Sequence, residues 1–146
     1  MTEDILKKIL LLCDSVPDQL RLITASQFCA KPLNKWSKKE IMGHLVDSAA
    51  VNLQRFIRGQ IENSPQIYYE QDNWVSVQGY QDYDHEKLIT LWESLNRHLV
   101  YIITRIPEAS LTRTCIMKNG EALTLQFLAE DYLSHLQHHT KQIVTT

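Results

Sequence analysis

The sequence predicts an all-α fold, specifically a four-helix bundle, and three observations carry that prediction. Only four glycines and four prolines interrupt the 146 residues. The long stretches between them repeat apolar residues at intervals of three and four, the spacing of one helical face. The connections between those stretches carry the turn-forming and capping residues. The length is near the commonest size of a single domain, so residues 1–146 are expected to form one domain around one core.

The first helix is expected from about Glu3 towards Thr24, with Leu6, Ile9, Leu10, Cys13, Val16, Leu20 and Ile23 on one side. Pro17 lacks a backbone N–H and is expected to break or kink it. The second helix has the sharpest start. Ser37 caps it, Glu40 three residues later completes a capping box, and Trp36 can staple onto Ile41. It is expected to reach about Arg58, ahead of Gly59. From Asn63 to Tyr83 the periodicity dissolves into polar and turn residues carrying Tyr68, Tyr69, Trp74, Tyr80 and Tyr83, which predicts a long crossover loop between the second and third helices.

The third helix begins after Asp84, presents Leu88, Leu91, Trp92, Leu95, Leu99, Ile102, Ile103 and Ile106 on one stripe, and ends before Pro107. Asn119-Gly120 between Thr114-Cys115-Ile116-Met117 and Ala122-Leu123 predicts a small β-hairpin. Thr124 then caps a fourth helix that continues to about Ile143.

Hydrophobic residues make up 44% of the chain and charged residues 22%, an ordinary globular mixture that folds without a partner. A net charge of -2, a pI of about 6.3 and basic residues spread along the chain argue against a nucleic-acid ligand. No apolar run approaches the roughly 18 residues of a membrane span, and Glu3 and Asp4 stand where a secretory signal carries positive charge. Cys13, Cys29 and Cys115 are widely spaced, odd in number and without a CxxC pair, so a reducing, cytoplasmic compartment is expected.

The chemistry concentrates in histidines. His135 and His139 are four residues apart on the last helix, one above the other on one face, which is the helical spacing of two ligands to one ion. Six histidines in 146 positions give about 0.2 such pairs by chance, so spacing alone decides little. At about 100 degrees per residue, His139 falls inside the apolar stripe and His135 on its edge, while His138 points away to solvent. His44 lies on the edge of the apolar stripe of the second helix, beside Gly43, which permits close helix approach. His85 and His98 have no partner at ligand spacing and are read as structural.

Three neutral imidazoles on His44, His135 and His139 leave the charge of a divalent ion uncompensated and its coordination open. Such an ion lowers the pKa of bound water towards ~7, stabilises a thiolate or polarises a carbonyl, so hydrolysis and thiol transfer are both open. Asp47, three residues after His44, and Asp131, four before His135, are candidate proton acceptors or partners of the ligating rings. Asn52 and Arg55 continue along the second helix and can orient an anionic substrate or simply pair with a carboxylate. Asp47, Asn52 and Arg55 are the candidate catalytic residues. A second reading, of another class, is a non-catalytic ligand-binding or interaction bundle whose histidines are structural.

At Lys35-Trp36-Ser37, Glu40-Ile41, Gly43-His44-Leu45-Val46-Asp47-Ser48, Asn52 to Arg55-Phe56, Tyr69-Glu70-Gln71-Asp72-Asn73-Trp74 and His135 to His139 before Gln142-Ile143, the sequence resembles the DinB superfamily. Within it, the resemblance is to the YfiT-like branch of metal-dependent hydrolases and bacillithiol S-transferases. The resemblance implies a four-helix bundle with one zinc or nickel ion on His44, His135 and His139. It further implies a cytoplasmic enzyme, often a homodimer, acting on a small molecule with a low-molecular-weight thiol as co-substrate in some relatives.

Overall fold

The computed structural model of the protein describes residues 2–144. In chain order the elements are α1 (Thr2–Arg21), α2 (Ala25–Cys29), α3 (Lys38–Ile61), α4 (Gln71–Gln78), α5 (His85–Thr104), β1 (Thr114–Ile116), β2 (Ala122–Thr124) and α6 (Leu125–Val144). Single 3-10 turns lie at Tyr80–Asp82 and Glu108–Ser110.

The four long helices α1, α3, α5 and α6 form the bundle. Each of α1 and α3 packs against both α5 and α6. The two helices met first in the chain therefore stand on one diagonal, and the last two on the other. Short connections normally place successive helices side by side. Here the segments joining α1 to α3 and α5 to α6 carry structure of their own and are long enough to cross the bundle. One apolar cluster fills its interior, with Ile9, Leu20, Phe28, Phe56, Trp92 and Leu125 fully buried within it.

Local chemistry explains most of the boundaries. The Ser37 side chain accepts from the Glu40 backbone N–H while the Glu40 side chain accepts from the Ser37 N–H, the reciprocal box read from the sequence. Asp84 accepts from Lys87 N–H at 2.9 Å to start α5, and Thr124 Oγ1 accepts from Phe127 N–H at 3.0 Å to start α6. The hairpin pairs Thr114 with Thr124 and Ile116 with Ala122, turning through Gly120 at φ +86. There Asn119 Oδ1 accepts from Glu121 N–H.

Three expectations require correction. Pro17 does not break the first helix: α1 runs unbroken to Arg21, and the buried side chains of Val16, Pro17 and Leu20 hold that turn against the core. The missing N–H costs one hydrogen bond, which the packing offsets. A separate short helix, α2, then starts at a second capping box formed by Thr24 and Gln27. Gly59 does not end the second long helix, which continues to Ile61. It is a point of close approach, where an added Cβ would stand 2.8 Å from Leu125 Cδ2 and 3.2 Å from Cys115 Sγ.

Residues 63–83 are not a loop throughout, because α4 occupies Gln71–Gln78. Only Val75 of α4 is buried, which is why hydrophobic periodicity does not reveal it. The preceding strand-like segment is tied down instead by backbone bonds, Ile67 N–H to Ile116 O at 3.2 Å and Ile116 N–H to Pro65 O at 2.9 Å.

Candidate metal centre

Two neighbouring helices bring three imidazoles together. His44 projects from α3, and His135 and His139 project from successive turns of α6, so that one ligand nitrogen from each lies within 4.8 Å of the others. His44 Nε2 and His135 Nε2 face each other at 3.1 Å. The ring centroids are 5.0, 5.0 and 4.5 Å apart and the ring planes cross at 77–80°.

Two of the rings are also held from outside the cluster. Trp36 lies against His44 with centroids 5.1 Å apart. His139 Nδ1–H donates to Gln142 Oε1 at 2.8 Å, which leaves Nε2 as the unprotonated nitrogen of that ring. His44 is 1% exposed, and burial together with the neighbouring His135 and His139 lowers its pKa to about 3. Burial, then His139 and His138, lowers that of His135 to about 4. Burial also lowers the pKa of His139. All three rings are neutral at physiological pH, with lone pairs to donate.

The donor set fits a divalent ion. Imidazole nitrogens at about 2.0–2.1 Å from one ion stand roughly 2.9–3.4 Å apart for ligand angles between right and tetrahedral; the His44–His135 separation falls in that interval, and the His139 nitrogen lies within 4.8 Å of both. A hydrogen bond between two of the rings satisfies only that pair, whereas a shared ion uses all three nitrogens. The His138 ring, excluded on helical projection, is exposed and rests on His139 at 4.9 Å. His85 packs on Phe28 and His98 stacks on Tyr101, away from the cluster. His135 and His139 are both half-buried, and the His139–Gln142 contact is exposed.

The remaining candidates fall into two groups. Asn52 and Arg55 line a cavity of about 140 Å³ together with Ser48, Tyr69, Asp131 and His135. Asn52 donates to Ser48 O at 2.9 Å, and Arg55 donates through Nε and Nη2 to Ile67 O at 3.1 and 2.8 Å. Asp47 is not in that lining. Its Oδ1 accepts from Tyr80 Oη–H at 2.6 Å and Gln78 Nε2–H at 2.7 Å, and its Oδ2 is buried without a hydrogen-bond partner among the described residues. Burial raises the Asp47 pKa against the lowering effect of those two bonds. Sequence reasoning assigns no site role to Tyr69 or to the Tyr80–Gln78 clamp on Asp47. Burial, then Asp47, pushes the Tyr69 pKa up to about 12, so it remains a neutral hydroxyl. Its place in a segment that carries the family resemblance is the one signal in the sequence.

Comparison with solved structures places the fold. YfiT from Bacillus subtilis, described as a probable metal-dependent hydrolase with an unusual four-helix bundle topology, superposes with a TM-score of 0.84 at 20% identity, over 97% of this chain and 83% of that one. A mycothiol-dependent maleylpyruvate isomerase superposes with a TM-score of 0.81 at 13% identity, over 98% of this chain and 60% of the isomerase. A histidine-to-alanine mutant of a mycothiol-dependent maleylpyruvate isomerase gives 0.83 at 12%, over 100% and 62%. This chain thus spans about three fifths of the isomerase. Comparison with curated protein sequences finds no match. Among the described residues no helix is long and apolar enough to cross a membrane. Residues 14–143 match the DinB superfamily, and with nearly the whole bundle inside that match, the chain belongs to the DinB superfamily.

Proposed function

We propose that the protein is an enzyme that holds one divalent metal ion, zinc or nickel, on His44, His135 and His139, and directs water or a low-molecular-weight thiol at a small electrophile. The observation that carries this reading is the convergence of three neutral ring nitrogens from two helices. When bound, such an ion supplies a Lewis acid that makes water or a thiol nucleophilic near neutral pH.

The chain's own groups supply positioning. Gln142 fixes the tautomer and angle of His139. Asn52 and Arg55 form one wall of the cavity beside His135 and hold the substrate there. Asp47, one helical turn from His44, is clamped through one oxygen and accepts a proton through the other. Tyr69 is a neutral donor on the cavity wall. The mycothiol dependence of the superposed isomerase supports the thiol version, and the description of YfiT supports the hydrolytic one.

Elemental analysis of the purified protein tests the reading before any substrate is chosen. About one metal ion per chain is expected for the unsubstituted protein and for His138→Ala, and almost none for His139→Ala. Equal metal content in the two variants, or none in any of the three, rejects the site. Turnover of a test electrophile with and without added thiol then separates transferase from hydrolase.

A further inference from the structure

The cavity beside His135 contains two opposite charges that do not meet. Arg55 and Asp131 both line it, and Asp131 is near enough to act electrostatically on Arg55. Neither forms an ion pair with the other or with any other described residue. Every acceptor of Arg55 is a neutral oxygen: Ile67 O on the Nε and Nη2 side, and Asn52 Oδ1 at 3.4 Å from Nη1. Since a guanidinium has five N–H donors in a fixed fork, its Nη1–Nη2 edge still has N–H groups to offer. Half-buried cations are ordinarily paired with an anion. Here the structure leaves a gap between cation and anion where a closed ion pair would be the ordinary solution.

That gap has a size and a chemistry. The volume of about 140 Å³ has room for a few waters or for a molecule of small amino-acid size. Ser48, Asn52 and Tyr69 give it hydroxyl and amide walls, and His135 joins it to the three-histidine cluster. We propose that this cavity is a subsite for a small zwitterion of the α-amino-acid type, with its carboxylate on Arg55, its ammonium on Asp131 and its third substituent directed to the His135 side. The inference rests on the metal site proposed above and names the class of co-substrate it takes, an amino-acid thiol or its equivalent.

The two charges make separable contributions, so three thiols of similar size test them. L-cysteine carries both groups, 3-mercaptopropionate lacks the ammonium, and cysteamine lacks the carboxylate. In cobalt-loaded protein, thiolate-to-cobalt absorbance reports the binding of each without any assay of turnover. Asp131 is exposed and makes no structural hydrogen bond among the described residues, so Asp131→Asn preserves the fold. It is expected to weaken L-cysteine and cysteamine about tenfold and to leave 3-mercaptopropionate within about twofold. Arg55→Lys, which retains charge without the fork, is expected to weaken L-cysteine and 3-mercaptopropionate and to spare cysteamine. Cobalt that binds together with thiol bands indifferent to Asp131→Asn overturns the zwitterion subsite alone. Failure of the unsubstituted protein to take up cobalt overturns the metal site and the subsite with it.

Discussion

Gly43 and His44 are adjacent and answer different demands. A Cβ at Gly43 would lie 2.1–2.5 Å from three ring carbons of Tyr80, far inside contact distance. The Tyr80 hydroxyl donates to Asp47, so the absence of a side chain at Gly43 sets where Asp47 is clamped. Gly43→Ala should displace the buried Tyr80 ring and destabilise the protein by about 2 kcal/mol, measured as a lower denaturant midpoint at unchanged m-value. An unchanged midpoint would show that the ring moves freely. From the sequence, Gly43 reads as a place of close helix approach. The neighbour is instead a tyrosine from the 3-10 turn after α4, which no periodicity reveals because that contact depends on how the crossover folds back.

At the scale of elements, the start of α3 was the most legible feature and the crossover the least. Ser37 and Glu40 define the capping box by identity and spacing alone, since both bonds are local. Ser37 also donates to Gln81 Oε1 at 2.6 Å, which joins the helix start to the crossover. Ser37→Ala should therefore cost about 1–2 kcal/mol in chemical unfolding, at the upper end for a cap, while Ser37→Asp should recover part of it. By contrast, α4 has a single buried residue and is positioned by Gln78 on Asp47 and Lys118 on Glu70, contacts between residues far apart in sequence. The helical spacing of His135 and His139 was legible for the same reason as the capping box. Tyr69 in the cavity wall was not, because its place depends on Arg55 gripping the Ile67 carbonyl.

The whole molecule couples its stability to the protonation of the histidine cluster. In the metal-free protein the folded pKa values of His44 and His135, about 3 and about 4, lie below the ordinary imidazole value of about 6.5, and that of His139 is lowered as well. The unfolded chain thus takes up protons first as pH falls. This contribution to stability is complete above about pH 6.5 and is lost progressively as pH falls towards 4. Unfolding midpoints recorded with chelator at pH 7 and pH 5 should show the loss, and His44→Leu should reduce it. A midpoint independent of pH across that window would contradict the depressed values.

The diagonal arrangement of the bundle gives the His44–His135 contact a mechanical meaning. These residues are 91 positions apart, on helices that touch although most of the chain separates them. One ion held by both, as proposed, would be a cross-link that closes a long loop, the kind of clip that most restricts the unfolded chain. Stripping the ion should therefore loosen two sequence-remote helices in concert. Backbone amides near Asp47 and near Leu136 are expected to exchange with deuterium faster together, while α1, which contributes nothing to the grip, keeps its protection.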